Sequence, residues 1–178
     1  MNIYVTTGMP GAGKEEFLKC CEERGAKVIR MGDIVRARAK ELGFDSSDSS
    51  VGTLANEDRH RYGKDVWAKR TIPFVGGKLV CIDGSRNPEE IEAFRKAFGE
   101  DLKVVAIHSS AKTRHERLKS RGRSDSPQTR AEFDVRDRRE LSWGLGDVIA
   151  LADFMITNES TVKELRKRIC DLLDRTSE

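Results

Sequence analysis

The sequence predicts an α/β fold: a five-stranded parallel sheet flanked by helices. Three observations carry that expectation. Short apolar runs alternate with helical stretches five times along the chain, the pattern of parallel strands joined by crossover helices. A glycine-rich loop, Gly8-Met9-Pro10-Gly11-Ala12-Gly13-Lys14, stands between the first strand and the first helix. The length, 178 residues, suits a single domain, residues 1–178, with a core that needs no staples.

The elements follow in chain order. Residues 2–7 read as a short buried strand that opens into the glycines. Residues 14–24 read as a helix with Phe17, Leu18 and Cys21 on one face. A second strand spans 26–31 and a second helix 33–42. Residues 44–53 are rich in serine and aspartate and are the most loop-like stretch. A polar helical segment then runs from Asn56 to about Phe74. Residues 78–82 form the third strand. Asn87 caps the next helix, Pro88 suits its first position, and Glu90 completes a capping-box pattern. Ile91, Phe94 and Phe98 make its inner stripe. The fourth strand covers 103–107, followed by a basic helix over 111–121. A polar break at 121–128 leads into a charged helix over 128–141. The fifth strand is 153–156. Ser160 caps the last helix, whose stripe is Val162, Leu165, Ile169 and Leu172. Each crossover should be right-handed.

Composition narrows the classes. The net charge is +3, with 35% charged and 6% aromatic residues. That excludes a polyanionic tail and a histone-like polycation, and leaves room for an anionic ligand. No apolar run approaches the ~20 residues that span a bilayer, and the loop at Gly8 occupies the place of a signal peptide's apolar region. Cys20, Cys21, Cys81 and Cys170 show no C-x-x-C spacing, so neither a disulfide framework nor a zinc site is expected, and a reducing cytoplasm is. Without an aromatic-and-basic recognition motif, no nucleic-acid partner is expected, and no membrane partner either. His60, His108 and His115 lack a partner pattern and read as surface or strand-end residues. Trp67 and Trp143 read as packing residues.

The loop fits G-x-x-x-x-G-K in the strand–loop–helix setting that gives the pattern a physical meaning. Glycines let the backbone wrap around phosphate with its N–H groups inward. The helix N-terminus adds a positive end, and Lys14 adds a full charge. The alternative is a tight turn with a surface lysine. Glu15 follows the lysine where a Ser or Thr would bind Mg²⁺. It is either a first-turn acid favoured by the helix dipole or a direct metal contact.

These residues resemble a known family. The loop resembles the G-x-P-G-x-G-K loop of adenylate kinases and other nucleoside monophosphate kinases. Gly32-Asp33-Ile34-Val35-Arg36 resembles their G-D-x-x-R element, which implies that Arg36 holds the acceptor's phosphate. Asp83-Gly84-Ser85-Arg86 resembles D-G-x-x-R with one residue fewer. It implies that Asp83 organises the water shell of Mg²⁺ and that Arg86 joins Arg36 at the acceptor. Arg117 and Arg121 resemble the pair that opens the lid, one near adenine and one on phosphates. Residues 152–158, Ala-Asp-Phe-Met-Ile-Thr-Asn, resemble the A-D-x-V-I-x-N stretch of dephospho-CoA kinases. Taken whole, the chain resembles archaeal adenylate-kinase-related and dephospho-CoA-kinase-related P-loop proteins, in which an R-x-L-x-x-G-x-G-x-V-I-A-x-A-D run recurs. Residues 139–153 match that run.

The resemblance covers nearly the full length and departs from adenylate kinases at Glu15 and Glu16, where they carry Gly and Thr. It implies a P-loop NTPase fold of the nucleoside monophosphate kinase type with strand order 2-3-1-4-5. An acceptor-binding insertion would span about 32–75 and a lid about 115–138. ATP with Mg²⁺ would sit on Gly8, Met9, Pro10, Gly11, Ala12, Gly13, Lys14, Glu15 and Glu16, with Arg117, Arg121 and Asn158.

From Lys112 to Arg139 ten Lys/Arg face five Asp/Glu, the charge a lid over a triphosphate needs. Part of it is a solvated face with intrahelical pairs such as Asp134–Arg138. Lys14, Arg86, Arg123, Arg136 and Asp33 are the candidate catalytic residues. Asp33 is a general base, a water-mediated Mg²⁺ ligand, or an N-cap. The expected reaction moves the γ-phosphoryl of ATP to a nucleotide-like acceptor, a nucleoside monophosphate first. The alternatives are a hydroxyl acceptor of the dephospho-CoA type and a non-catalytic ATP-binding regulator. A GTPase switch would carry an N-K-x-D motif, which is missing.

Overall fold

The computed structural model describes residues 1–44, 48–120, 127 and 129–176. Five strands, β1 (Asn2–Thr7), β2 (Lys27–Arg30), β3 (Leu79–Asp83), β4 (Leu102–His108) and β5 (Phe154–Thr157), form one sheet in the order β2-β3-β1-β4-β5. Every pairing is parallel, in the order that the resemblance implied. Alternate residues face opposite sides of a strand, and β1 shows it. Ile3 and Val5 join Val80, Ile82, Val104, Phe94 and Trp67 on one face. Tyr4 joins Cys81, Val105 and Ile107 on the other, against Phe17, Leu18, Leu165 and Ile169.

Helices α1 (Lys14–Glu22) and α9 (Val162–Thr176) cover that second face; α2 (Met31–Glu41), α4 (Val66–Thr71), α5 (Pro88–Phe98) and α8 (Leu145–Ala150) cover the first. α3 (Asp48–Tyr62) adds Ala55 to the first face, and α6 (Ala111–Ser120) and α7 (Arg130–Ser142) follow β4 along the chain. Among the described residues no helix is long and apolar enough to cross a membrane.

The structure corrects several expectations. Part of the serine-rich stretch is the start of α3, because Leu54 and Ala55 are buried and Val51 packs on the core; tertiary burial outweighs local propensity. The segment from Asn56 to Phe74 is two helices, broken after Tyr62. α2 begins at Met31 with Arg30 in the cap position, so Asp33 lies inside the first turn and is not an N-cap. The short α8 was not foreseen. Thr161, not Ser160, caps α9: its hydroxyl accepts the Glu164 N–H at 3.2 Å. Val162 is exposed, and Leu173 takes its place in the buried stripe. Asp134 pairs with Arg130. Most of the polar break, 121–126 and 128, lies outside the described residues.

Asn87 caps α5 as expected, accepting the Glu90 N–H at 2.9 Å. The Glu90 carboxylate, however, accepts from the Arg86 N–H at 2.7 Å and from Arg59 at 3.3 Å.

Candidate functional site

The loop after β1 depends on backbone only glycine adopts cheaply. Gly13 has φ 109° and Gly8 φ 145°. A Cβ on Gly8 would strike the Ile107 carbonyl, and one on Gly13 would strike the Asn158 side chain. Among the described residues no side chain caps α1, so its positive end faces the loop. Lys14 reaches back over the loop, its Nζ 2.7 Å from the Gly8 carbonyl.

The loop is braced from behind. Asn158 donates to the Ala12 carbonyl at 2.8 Å, and the Ser109 hydroxyl, 3.2 Å from that carbonyl, lies closer to the Asn158 carbonyl at 2.5 Å. Arg117 donates to Ser109 Oγ at 2.9 Å and to Asn158 Oδ1 at 3.3 Å. Arg117 and Asn158, both candidate nucleotide contacts, thus meet each other. Arg114 is buried and donates to the Pro10 carbonyl at 3.2 Å. It also holds Asp137 of α7 through two hydrogen bonds, 2.8 and 2.5 Å.

The acids near the loop have separate fates. Glu15 pairs with Arg30 at 3.0 Å, the behaviour of a first-turn acid. Glu16 turns to Lys19 at 2.9 Å and Arg166 at 3.3 Å, toward α9; the Lys19 hydrogen bond above all holds its carboxyl below the usual range. Asp83 ends β3 and is partly buried, and among the described residues its shielded Oδ1 has no hydrogen-bond partner. Burial pushes its pKa up, against the opposing pull of Lys14, Arg86 and Arg30.

Beside the strand ends lies a cavity of about 1030 Å³, lined by residues of α2, α3 and α7 with Arg86 and Trp143. Arg36, Arg59, Arg86, Arg136 and Arg139 line it, against Glu132 and Glu140. Three of the candidate residues, Arg36, Arg86 and Arg136, are thereby brought together. Arg86 Nε donates to the buried Glu140 at 3.1 Å. Asp33 and Arg36, one turn apart on α2, pair at 2.5 Å and are both more than half exposed. Arg121 and Arg123 lie outside the described residues.

Trp143 is more than packing. The guanidinium groups of Arg86, Arg139 and Arg59 lie 5.3, 5.6 and 5.8 Å from its ring, within cation–π range. Its spacing of four from Arg139 was the available signal. His115 is not a plain surface residue: its ring sits 5.2 Å from that of Phe133. Arg59, Glu90, Arg114, Asp137 and Glu140 were also missed. Only the placement of Arg114 three residues before Arg117 hinted at a shared helix face.

A profile of the family described as an AAA domain matches residues 7–133. The chain is 46% identical over 173 residues to a UPF0200 protein of Thermoplasma acidophilum, covering 96% of this chain and 94% of that protein. It belongs to the UPF0200 family. A UPF0200 protein of Methanopyrus kandleri is 49% identical over 173 residues, covering 93% and 86%. Among solved structures, a shikimate kinase from Bacteroides thetaiotaomicron superposes on this UPF0200 chain with a TM-score of 0.66 at 15% identity, covering 97% and 98%. A gluconokinase from Sinorhizobium meliloti gives 0.64 at 16%, covering 99% and 93%. At such identities the likeness is one of fold, and the fold is that of P-loop kinases.

Proposed function

We propose that this UPF0200 chain transfers the γ-phosphoryl group of ATP to a small anionic, nucleotide-like acceptor. The observation that carries the reading is the pairing of two features at one end of the sheet. One is a glycine loop with Lys14 over it and Asp83 on the adjoining strand, in register with Thr6. The other is a cavity lined by five arginines against two glutamates.

In this reading residues Gly8 to Glu16 hold the triphosphate through backbone N–H groups and the Lys14 charge. Arg117 contributes from α6, and Asn158 keeps the loop in shape. Among the described residues no cluster of three acidic, His or Cys side chains could cage a metal. The orphaned Asp83 Oδ1 suits instead a cation held by phosphates and water. Bound Mg²⁺ would neutralise phosphate charge. Glu15 is engaged by Arg30, which favours its structural reading.

An arginine-lined cavity selects an anion. A nucleoside monophosphate brings an ionised phosphate that is itself the nucleophile, so catalysis reduces to positioning and charge stabilisation. Arg36 and Arg86 would orient it, and Arg136 would offset charge on the group in flight. The segment 32–75 would be the acceptor-binding insertion and 115–138 the lid.

Asp33 supports a second reading, a hydroxyl acceptor as in dephospho-CoA. It presents an exposed carboxylate one turn from Arg36, and proteins of this fold include ones named for gluconate and shikimate. A coupled assay of ATP consumption over AMP, CMP, UMP, dTMP, GMP and dephospho-CoA tests the proposal. One acceptor should accelerate turnover in the native chain and not in Lys14→Ala. Equal turnover in the two proteins would refute it.

A further inference from the structure

Helix α7 is fastened by charged groups on one face. Phe133, Asp137 and Glu140 recur at the spacing that places side chains on one side of a helix, and Phe133 and Glu140 are buried. Glu140 takes Arg86 of the cavity. Asp137 takes Arg114 through two hydrogen bonds, and the same guanidinium lies 4.9 Å from the Phe133 ring. Nη1 of Arg114 also donates to the Pro10 carbonyl, in the phosphate loop itself. The Arg114 side chain is only 5% exposed and that of Asp137 16%. Nε of Arg114 also donates to the Ser109 carbonyl at 3.2 Å. A guanidinium so buried carries a large desolvation cost, which the Asp137 carboxylate offsets.

We infer that the Arg114–Asp137 pair is a positioning device that couples the phosphate loop to α7, and so to Arg136, the neighbour of Asp137 that lines the cavity. One guanidinium nitrogen is shared between the loop and the helix. The peptide it contacts carries the Pro10 carbonyl on one side and the Gly11 N–H on the other. Donation to that carbonyl polarises the peptide and strengthens the Gly11 N–H as a phosphate donor. A phosphate drawing on Gly11 in turn strengthens the hold of Arg114 on the loop, with Asp137 fixed to the same group. Neither residue touches the reacting atoms. Their effect is that α7 presents Arg136 in one place when the loop is filled. The inference rests on the nucleotide reading given above.

Hydrogen exchange of the full chain, with and without Mg²⁺ and adenylyl imidodiphosphate, tests it. In the native protein the nucleotide should slow exchange both in the loop and α1 and across α7, since protection reports local opening. In Asp137→Ala the loop should stay protected and α7 should lose its protection, with Asp137→Glu restoring it. In turnover assays, Asp137→Ala should lower kcat roughly tenfold while KM for ATP changes less. Asp137→Asn keeps one oxygen acceptor and should show a partial loss, so it carries the comparison if the alanine variant does not fold. Nucleotide-induced protection of α7 that is unchanged in Asp137→Ala, or missing in the native protein whose loop is protected, would overturn the coupling and leave nucleotide binding standing. Protection of neither segment in the native protein would overturn the nucleotide reading and the coupling with it.

Discussion

Lys14 reaches from the first turn of α1 to the Gly8 carbonyl, so its charge already stands over the loop while its removal opens no cavity in the core. Lys14→Ala should leave the unfolding midpoint within about 2 °C of native. Isothermal titration should show ATP affinity lowered about ten- to a hundredfold, the worth of a charge-assisted contact. Asp83 presents the opposite balance. Burial raises its pKa above the ordinary 3.8, so the folded state binds the proton more tightly than the unfolded one. Its contribution to stability is present below 3.8 and is lost as pH rises through the raised folded value. Asp83→Asn should therefore melt higher than native near neutral pH, and the gap should narrow as pH falls toward 3.8. The same variant should need more Mg²⁺ for turnover. A melting difference that does not change with pH would show that the Asp83 charge carries no strain.

The caps separate what local sequence dictates from what packing decides. Asn87 and Pro88 announced α5, because a cap and a first-turn proline act within one turn of chain. The reading of Ser160 as the cap of α9 fails: of two adjacent hydroxyl residues, the structure gives the cap to Thr161. Thr161→Ala should cost about 1 kcal/mol in chemical unfolding, and Ser160→Ala less than about 0.5 kcal/mol. Equal costs would return the cap to Ser160. The five strands and the glycine loop were legible for the same local reason: apolar runs and glycines carry their meaning in a few neighbouring residues. The start of α3 was not legible, because Leu54 and Ala55 earn their helix by burial against distant elements. At the site, motif residues such as Arg36 and Asp83 were found one by one. Arg59, Arg114, Asp137 and Glu140 were not, because each acts through a partner far along the chain, as Arg59 does with Glu90.

At the scale of the whole molecule, the sheet order places the glycine loop after the central strand β1 and the arginine cavity beside it, the end of a parallel sheet where ligands commonly bind. The identity of the acceptor then decides which residue matters more. For a phosphate acceptor, Arg36→Ala should lower kcat/KM about tenfold or more through a lost charge-assisted contact, with Asp33→Asn the milder change. For a hydroxyl acceptor a proton must leave, and Asp33→Asn should cost roughly 10²–10⁴ in rate. Steady-state kinetics on both variants distinguishes the two acceptors. The measurement that reaches the central claim most directly is label transfer from ATP carrying a radioactive γ-phosphate, incubated with Mg²⁺ and each candidate acceptor in turn. The account predicts that label moves to one acceptor in the native chain and to none in Lys14→Ala. Label that stays on ATP with every acceptor, while ATP binds normally, would contradict the account and leave a nucleotide-binding protein without phosphotransfer.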